Sequence, residues 1–245
     1  MTQLVPHLPS GYLWQPQPGP DICRNCFNIT APGFDRCFAC AVTEQRLDAI
    51  VPISYCVSHG PLHHDLLDYK LRAEPCVPFL TARLAAVLTR FLANHERCIA
   101  GQAGVARFDL VTTVPSSDRQ RDQHHPLRLI VGELVPQVHS RYVRALQRTE
   151  LELPARSYNP RRFEATVDLT GRSVLLIDDT WTTGSSAQSA AAALKRAGAK
   201  SVAAVAIGRY INGGWQDAAN RLIQPDHPFD FGTCTVCAKA HAEAA

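Results

Sequence analysis

Val174-Leu175-Leu176-Ile177-Asp178-Asp179-Thr180-Trp181-Thr182-Thr183-Gly184-Ser185-Ser186 is the stretch on which the reading of this chain turns. Ser173 to Ile177 is a near-continuous apolar run closed by two acids, the pattern of a central parallel strand buried on both faces. A hydroxyl-rich loop follows. An Ala-rich helix is expected next, over Ser185 to Ala197, with Gly198 as its C-terminal stop. Ser201 to Ile207 reads as another buried strand, so strand, helix and strand form a right-handed βαβ unit.

Ligands of open parallel sheets sit beyond the carboxyl ends of the strands, which is where this order delivers Asp178 and Asp179. The free N–H groups and positive dipole end of the following helix make an anion site. Thr180, Thr182, Thr183, Ser185 and Ser186 add hydroxyl donors, and Gly184 lets a phosphate approach the backbone closely. Two carboxylates beside a phosphate cradle would repel a polyanion. They make sense where they accept hydrogen bonds from sugar hydroxyls, directly or through Mg²⁺-bound waters. The plainer alternative is an acidic helix cap followed by an ordinary turn.

Outward from this unit, Phe108 to Val114 reads as a strand ended by Pro115. Thr81 to His95 reads as an amphipathic helix, because Leu84, Val87, Leu88, Phe91 and Leu92 fall on one face. That stripe is expected to be core. Leu127 to Leu146 is expected to be helical in two pieces, interrupted by Pro136. Ile50 to Val57 is β-like, Trp215 to Ile223 is expected to be a last helix, and residues 1–20 are Pro-rich and extended.

Composition narrows the class. Apolar residues make up 46% of 245, enough for a packed core. A net charge of +3 does not argue for a general nucleic-acid binder. Between Arg119 and Arg162, however, stand nine Arg, no Lys and four acids. Arg suits bidentate phosphate contact, and the alternative is a solvated surface. No apolar run reaches the roughly 18 residues of a membrane span. The first residues lack a basic segment, so export is not expected and a cytoplasmic chain is.

The chain has nine Cys. Without an export signal they point to metal ligation rather than disulfides. Cys23-x2-Cys26-x10-Cys37-x2-Cys40 has the spacing of two knuckles closing a tetrahedral, structural zinc site. Redox pairs are the alternative. Cys234-x2-Cys237-x3-His241 is a weaker, possible second site, with His227 or Cys56 as candidates for a fourth ligand. The alternatives are a tail docked on the N-terminal module or a plain exposed thiol pair. Cys76 and Cys98 read most simply as buried small hydrophobes.

The run Val174 to Ala187 resembles the signature loop of the type I phosphoribosyltransferases, and the chain as a whole is similar to the ComF family of phosphoribosyltransferase-like proteins. The Cys pairs match that family's zinc-binding N-terminus. Leu66-Leu67-Asp68-Tyr69-Lys70 is similar to its segment ending in Leu-Lys-Tyr or Leu-Lys-Phe. Arg156, Asn159 and Phe163 match its Arg-x-x-Asn-x-x-x-Phe. Arg121-Asp122-Gln123-His124-His125 departs from the usual Arg-Gly-Phe-Asn, and Trp181 stands where a smaller spacer is common.

The resemblance implies a type I phosphoribosyltransferase fold over residues 49–245, behind a Pro-rich segment and zinc module over 1–48. It implies binding of phosphoribosyl pyrophosphate with Mg²⁺ and transfer of the phosphoribosyl group to an acceptor. Asp178 and Asp179 would be the catalytic pair on the ribose hydroxyls. Thr180, Thr182, Thr183, Gly184, Ser185 and Ser186 would hold the 5-phosphate, and Ser116, Ser117, Arg119 and Arg121 the pyrophosphate. His124 and His125 are candidates for a base, against the plainer reading as loop histidines. The alternatives in function are a sensor that binds without turnover, or a ComF-like accessory to DNA uptake that docks a protein or DNA through its zinc module. A homo-oligomer is compatible with either.

Overall fold

The computed structural model describes residues 8–70, 76–116, 122–154, 156–212 and 229–238. The expected helix over Trp215 to Ile223, and His227, lie outside them.

Four parallel strands form the central sheet: β1 (Ala49–Val57), β2 (Leu110–Thr113), β5 (Ser173–Trp181) and β6 (Ser201–Ile211), in the order β1-β6-β5-β2. A small antiparallel pair, β3 (Leu146–Arg148) and β4 (Phe163–Ala165), lies apart from it. The helices are α1 (Phe38–Val42), α2 (Pro61–Asp68), α3 (Val77–Gln102), α4 (Pro126–Leu129) and α5 (Ser185–Arg196). The chain is thus α/β, with a parallel sheet flanked by helices and a cysteine cluster near its N-terminus.

Period-2 alternation decides what each sheet face buries. Val51, Ile53, Leu175, Ile177, Ala203, Val205 and Ile207 pack with α3, including all five residues of its expected stripe. Val174, Leu176, Val202, Ala204 and Ala206 pack with α5. The Ala-rich face of α5 lets the helix lie close on the sheet, and its Ala190 and Ala191 are fully buried. Each fully buried Leu of the α3 stripe contributes about 2 kcal/mol.

Three elements differ from the sequence reading. α3 runs to Gln102, about two turns past His95, because Ile99 and Ala100 continue its buried face. β5 runs through both acids to Trp181, since β6 extends to Ile211 and pairs with it as far as Trp181↔Arg209. The stretch Leu127 to Leu146 breaks into α4, a π turn (Ile130–Leu134) and a 3-10 turn (His139–Arg141). Pro136 and the short β3 prevent a regular helix there.

Among the described residues no helix is long and apolar enough to cross a membrane.

Candidate functional site

All four strands of the sheet are parallel, so their carboxyl ends share one edge. A cavity of about 430 Å³ opens there, lined by Asp178, Asp179, Thr180, Thr182 and Ser186 from β5 and its loop. Ser116 enters from the end of β2, His63 and Lys70 from around α2, and Arg156 from the segment before β4. Six of the expected site residues, Ser116, Asp178, Asp179, Thr180, Thr182 and Ser186, therefore converge on one cavity, and Thr183 does not line it. Gly184 and Ser185 lie buried behind its wall rather than on it, and Ser117, Arg119 and Arg121 lie outside the described residues.

Strand geometry sends adjacent side chains to opposite faces, so Asp178 and Asp179 enter the cavity in different settings. Asp179 is the held one. The Tyr69 hydroxyl donates to its Oδ2, and Lys70 Nζ lies 2.8 Å from the same oxygen. His125 Nε2 stands 3.9 Å away. Burial alone would raise the Asp179 pKa, but Lys70 and His125 outweigh it and hold the carboxyl below its usual range. Tyr69 is pushed well above its ordinary value, by burial first and by Asp179 next, so its hydroxyl stays a donor.

Asp178 has no ion-pair partner among the described residues. Its Oδ1 accepts only the Asp179 N–H, at 3.0 Å. Burial, then the charge of Asp179, push it up to about 8. A carboxylate so placed gains from any cation or hydroxyl donor that enters the cavity.

The loop after β5 is shaped by Trp181. Gly184 has φ +79°, and a Cβ there would sit 2.1 Å from Trp181 Cζ2, so no other residue fits beneath that ring. Glycine at the cap position leaves the first turn of α5 with no side-chain cap. Thr183 Oγ1 turns toward Ser185, 2.9 Å from its hydroxyl. Thr183 Oγ1 also accepts the Ser185 N–H, at 3.4 Å, so the helix mouth offers the amides that follow Ser185 beside the cavity, the condition for anion binding.

Arg209 was not anticipated from sequence. It is buried at the end of β6. Its guanidinium donates to the carbonyls of Trp181 and Thr182, both at 3.0 Å, and to that of Cys26 at 2.9 Å. One side chain therefore fixes the loop backbone and ties it to the cysteine module. The available signal was a single cation inside an otherwise apolar strand.

Cys23, Cys26, Cys37 and Cys40 are all buried, with their sulphurs within 4.8 Å of one another, a set able to hold a metal such as zinc. Cys37 precedes the short α1, so one pair does open a helix. The convergence of all four thiols still favours ligation over a redox pair. The module packs into the core of α5, where Gln188 Oε1 accepts the N–H groups of Arg46 and Leu47.

Several arginines of the basic stretch are engaged internally. Arg128 and Arg144 meet Asp122 at 2.5 and 3.1 Å, and Arg141 grips Glu96. Asp122 also accepts the Ser116 N–H at 2.7 Å, which shapes the turn after β2. Arg156, with φ +58°, does line the cavity. Its segment is docked by Asn159, whose N–H donates to Ser189 Oγ of α5, and by buried Phe163.

His125 caps α4: its Nδ1 accepts the Leu127 N–H at 3.2 Å. The proton therefore sits on Nε2, toward Asp179, and burial lowers the pKa of the ring further. With one nitrogen accepting and the other protonated, His125 has no free lone pair for base work. His124 is exposed and does not line the cavity.

Of the possible second metal set, Cys234 and Cys237 lie within the described residues. His241 lies outside the described residues, and Cys56 is buried in β1 and is not one of the clustered thiols. Cys234 and Cys237 instead meet His95 and Cys98 of α3. Cys98 is thus no mere core filler, and Cys76 is exposed. The longer α3 is the reason, since it carries Cys98 one turn past His95.

A scan against protein-family models finds no match for this chain, and a search of curated proteins finds none either.

Proposed function

We propose that the chain binds phosphoribosyl pyrophosphate with Mg²⁺ and transfers the phosphoribosyl group to a nucleophilic acceptor, as its resemblance to type I phosphoribosyltransferases and the ComF family implies. The observation that carries this reading is the shared cavity. An acidic pair, the mouth of α5 and the turn after β2 meet in one space at the carboxyl edge of a parallel sheet.

In this reading Thr182 and Ser186, with the first amides of α5, hold the 5-phosphate. Asp178 accepts from the ribose hydroxyls, and Asp179, already oriented by Tyr69 and Lys70, completes the acidic side. Ser116 faces the pyrophosphate, and Arg156 adds positive charge across the cavity. Asp178 fits a divalent cation, because it is a cavity-facing carboxylate without a cationic partner among the described residues. Mg²⁺ held there would neutralise pyrophosphate charge. The bond from the anomeric carbon to the pyrophosphate oxygen breaks, the acceptor lone pair forms the new bond, and pyrophosphate leaves with the electron pair. The chain contributes positioning and fixed electrostatics. The Cys23–Cys40 cluster holds structural zinc and, through Arg209, steadies the loop.

A second reading, a sensor without turnover, is favoured by one observation: His125 spends its Nδ1 lone pair on capping α4, which leaves it none free for base work. Calorimetry with phosphoribosyl pyrophosphate and Mg²⁺ tests the common premise. Binding by the wild type and its loss in Asp178→Asn/Asp179→Asn is the expected result. No binding by a folded wild type would overturn both readings. Pyrophosphate release with a panel of bases and amines then separates transferase from sensor.

A further inference from the structure

His95 and Cys98 stand three residues apart on α3, so their side chains leave the same helix face one turn apart. Cys234 and Cys237 have the same spacing around the helical turn at 235–238. The tail brings the two pairs face to face. Cys98 Sγ lies 3.4 Å from Cys237 Sγ, and Cys234 Sγ lies 3.5 Å from Cys237 Sγ. His95 Nδ1 is 3.8 Å from Cys98 Sγ and 3.7 Å from Cys237 Sγ. Thiolates about 2.3 Å from a tetrahedral zinc ion lie about 3.8 Å apart, so these separations are close to the edges of such a tetrahedron.

The histidine is set for ligation. Its Nε2 lies 2.8 Å from the carbonyl oxygen of Phe231. A carbonyl only accepts, so Nε2 carries the proton and Nδ1 presents its lone pair to the sulphurs. A carbonyl on the far nitrogen is the usual companion of a metal-bound imidazole. Simple core packing does not account for three sulphurs and an imidazole nitrogen turned toward one another. A disulfide does not account for it either, because any pairing would leave the third thiol and Nδ1 without a role.

We infer that His95, Cys98, Cys234 and Cys237 bind one zinc ion as a closed, structural site, separate from the Cys23–Cys40 cluster. Soft thiolates with one imidazole suit zinc, and four protein ligands leave no open position for chemistry. The ion staples the tail to α3. The same contact is lined by Asn94, which donates to the Phe231 carbonyl at 3.0 Å, and by Arg90 over the Phe231 ring. None of the four ligands lines the ligand cavity, so the inference stands independently of the proposed activity.

The test is zinc content of the full chain, purified under reducing conditions and measured by mass spectrometry of the element. About two zinc ions per chain are expected in the wild type and in His241→Ala, and about one in Cys98→Ser/Cys237→Ser. Two ions retained by that double variant would overturn the ligand set. A single ion in the wild type would overturn the site itself. Should the double variant not fold, the cobalt spectrum of the wild type decides. A mixture of four-sulphur and three-sulphur-one-nitrogen absorption supports the inference, and a pure four-sulphur spectrum sinks it.

Discussion

The two cysteine clusters are built from the same chemistry in opposite ways. In the N-terminal cluster the ligands are close along the chain, with Cys26 and Cys37 separated by 11 positions. In the second, Cys98 and Cys237 are 139 positions apart. The first lies in a segment too small for a core of its own, where a bound metal would supply folding energy. The second joins elements, one of which, α3, is already secured by its buried stripe. The first is also tied to the candidate ligand loop through Arg209, whereas the second has no such link among the described residues. Damage to the two should therefore differ in size and in reach.

The largest effect is expected from Cys26→Ser/Cys40→Ser. Loss of the N-terminal metal should cost on the order of 5 kcal/mol or more. Thermal melting should show a lost or broadened transition, and ligand binding should fall with it. A variant with unchanged melting would break the comparison at its root.

Arg209→Met cuts the tie, including its contact to Cys26 Sγ, and removes no cysteine or histidine of either cluster. Several buried carbonyls lose their donor, for about 3 kcal/mol in denaturant unfolding. Zinc content should hold while affinity for phosphoribosyl pyrophosphate drops at least tenfold. Retained affinity would mean that the module and the loop act separately.

Cys98→Ser/Cys237→Ser should cost less, about 2 kcal/mol, as expected for losing one cross-link that closes a long loop. Limited proteolysis should cut the tail near 229–238 faster while ligand affinity stays within twofold. Loss of ligand binding here would erase the asymmetry between the clusters.

Asp178→Asn sets the baseline for structural damage, because it replaces a carboxyl that holds its proton with a neutral group of the same shape. Asp178 has its folded pKa raised to about 8, above that of an unfolded carboxyl. The folded state therefore holds the proton more tightly, and wild-type stability falls as pH rises from the ordinary carboxylate range toward 8. Melting across that range should show the variant gaining on the wild type as pH rises. Ligand binding should nevertheless be lost. A variant that loses ground as pH rises would contradict the burial assigned to this carboxyl.

What was legible follows the same divide. The strand before Asp178, the α3 stripe and the Cys23–Cys40 spacing are local patterns, and each is found where periodicity or spacing placed it. His95 and Cys98 were hidden because an i, i+3 pair on an apolar helix face looks like core until a partner arrives from far along the chain. Arg209 was hidden for the same reason, its acceptors lying in β5, the loop after it and the N-terminal module. The basic stretch misled in part. Sequence gives the excess of Arg but not that Asp122 and Glu96 neutralise three of them. The role of Tyr69 and Lys70 came into view only once α2 was seen to end beside Asp179.

The indole wedged against Gly184 has a practical consequence. The chain holds only three Trp, and Trp181 is buried at the foot of the loop, its Nε1 without a hydrogen-bond partner among the described residues. Its excited state is therefore shielded from water and exposed to the local electric field. An anion arriving at the neighbouring amides would change that field, so titration by intrinsic emission would read occupancy without any label.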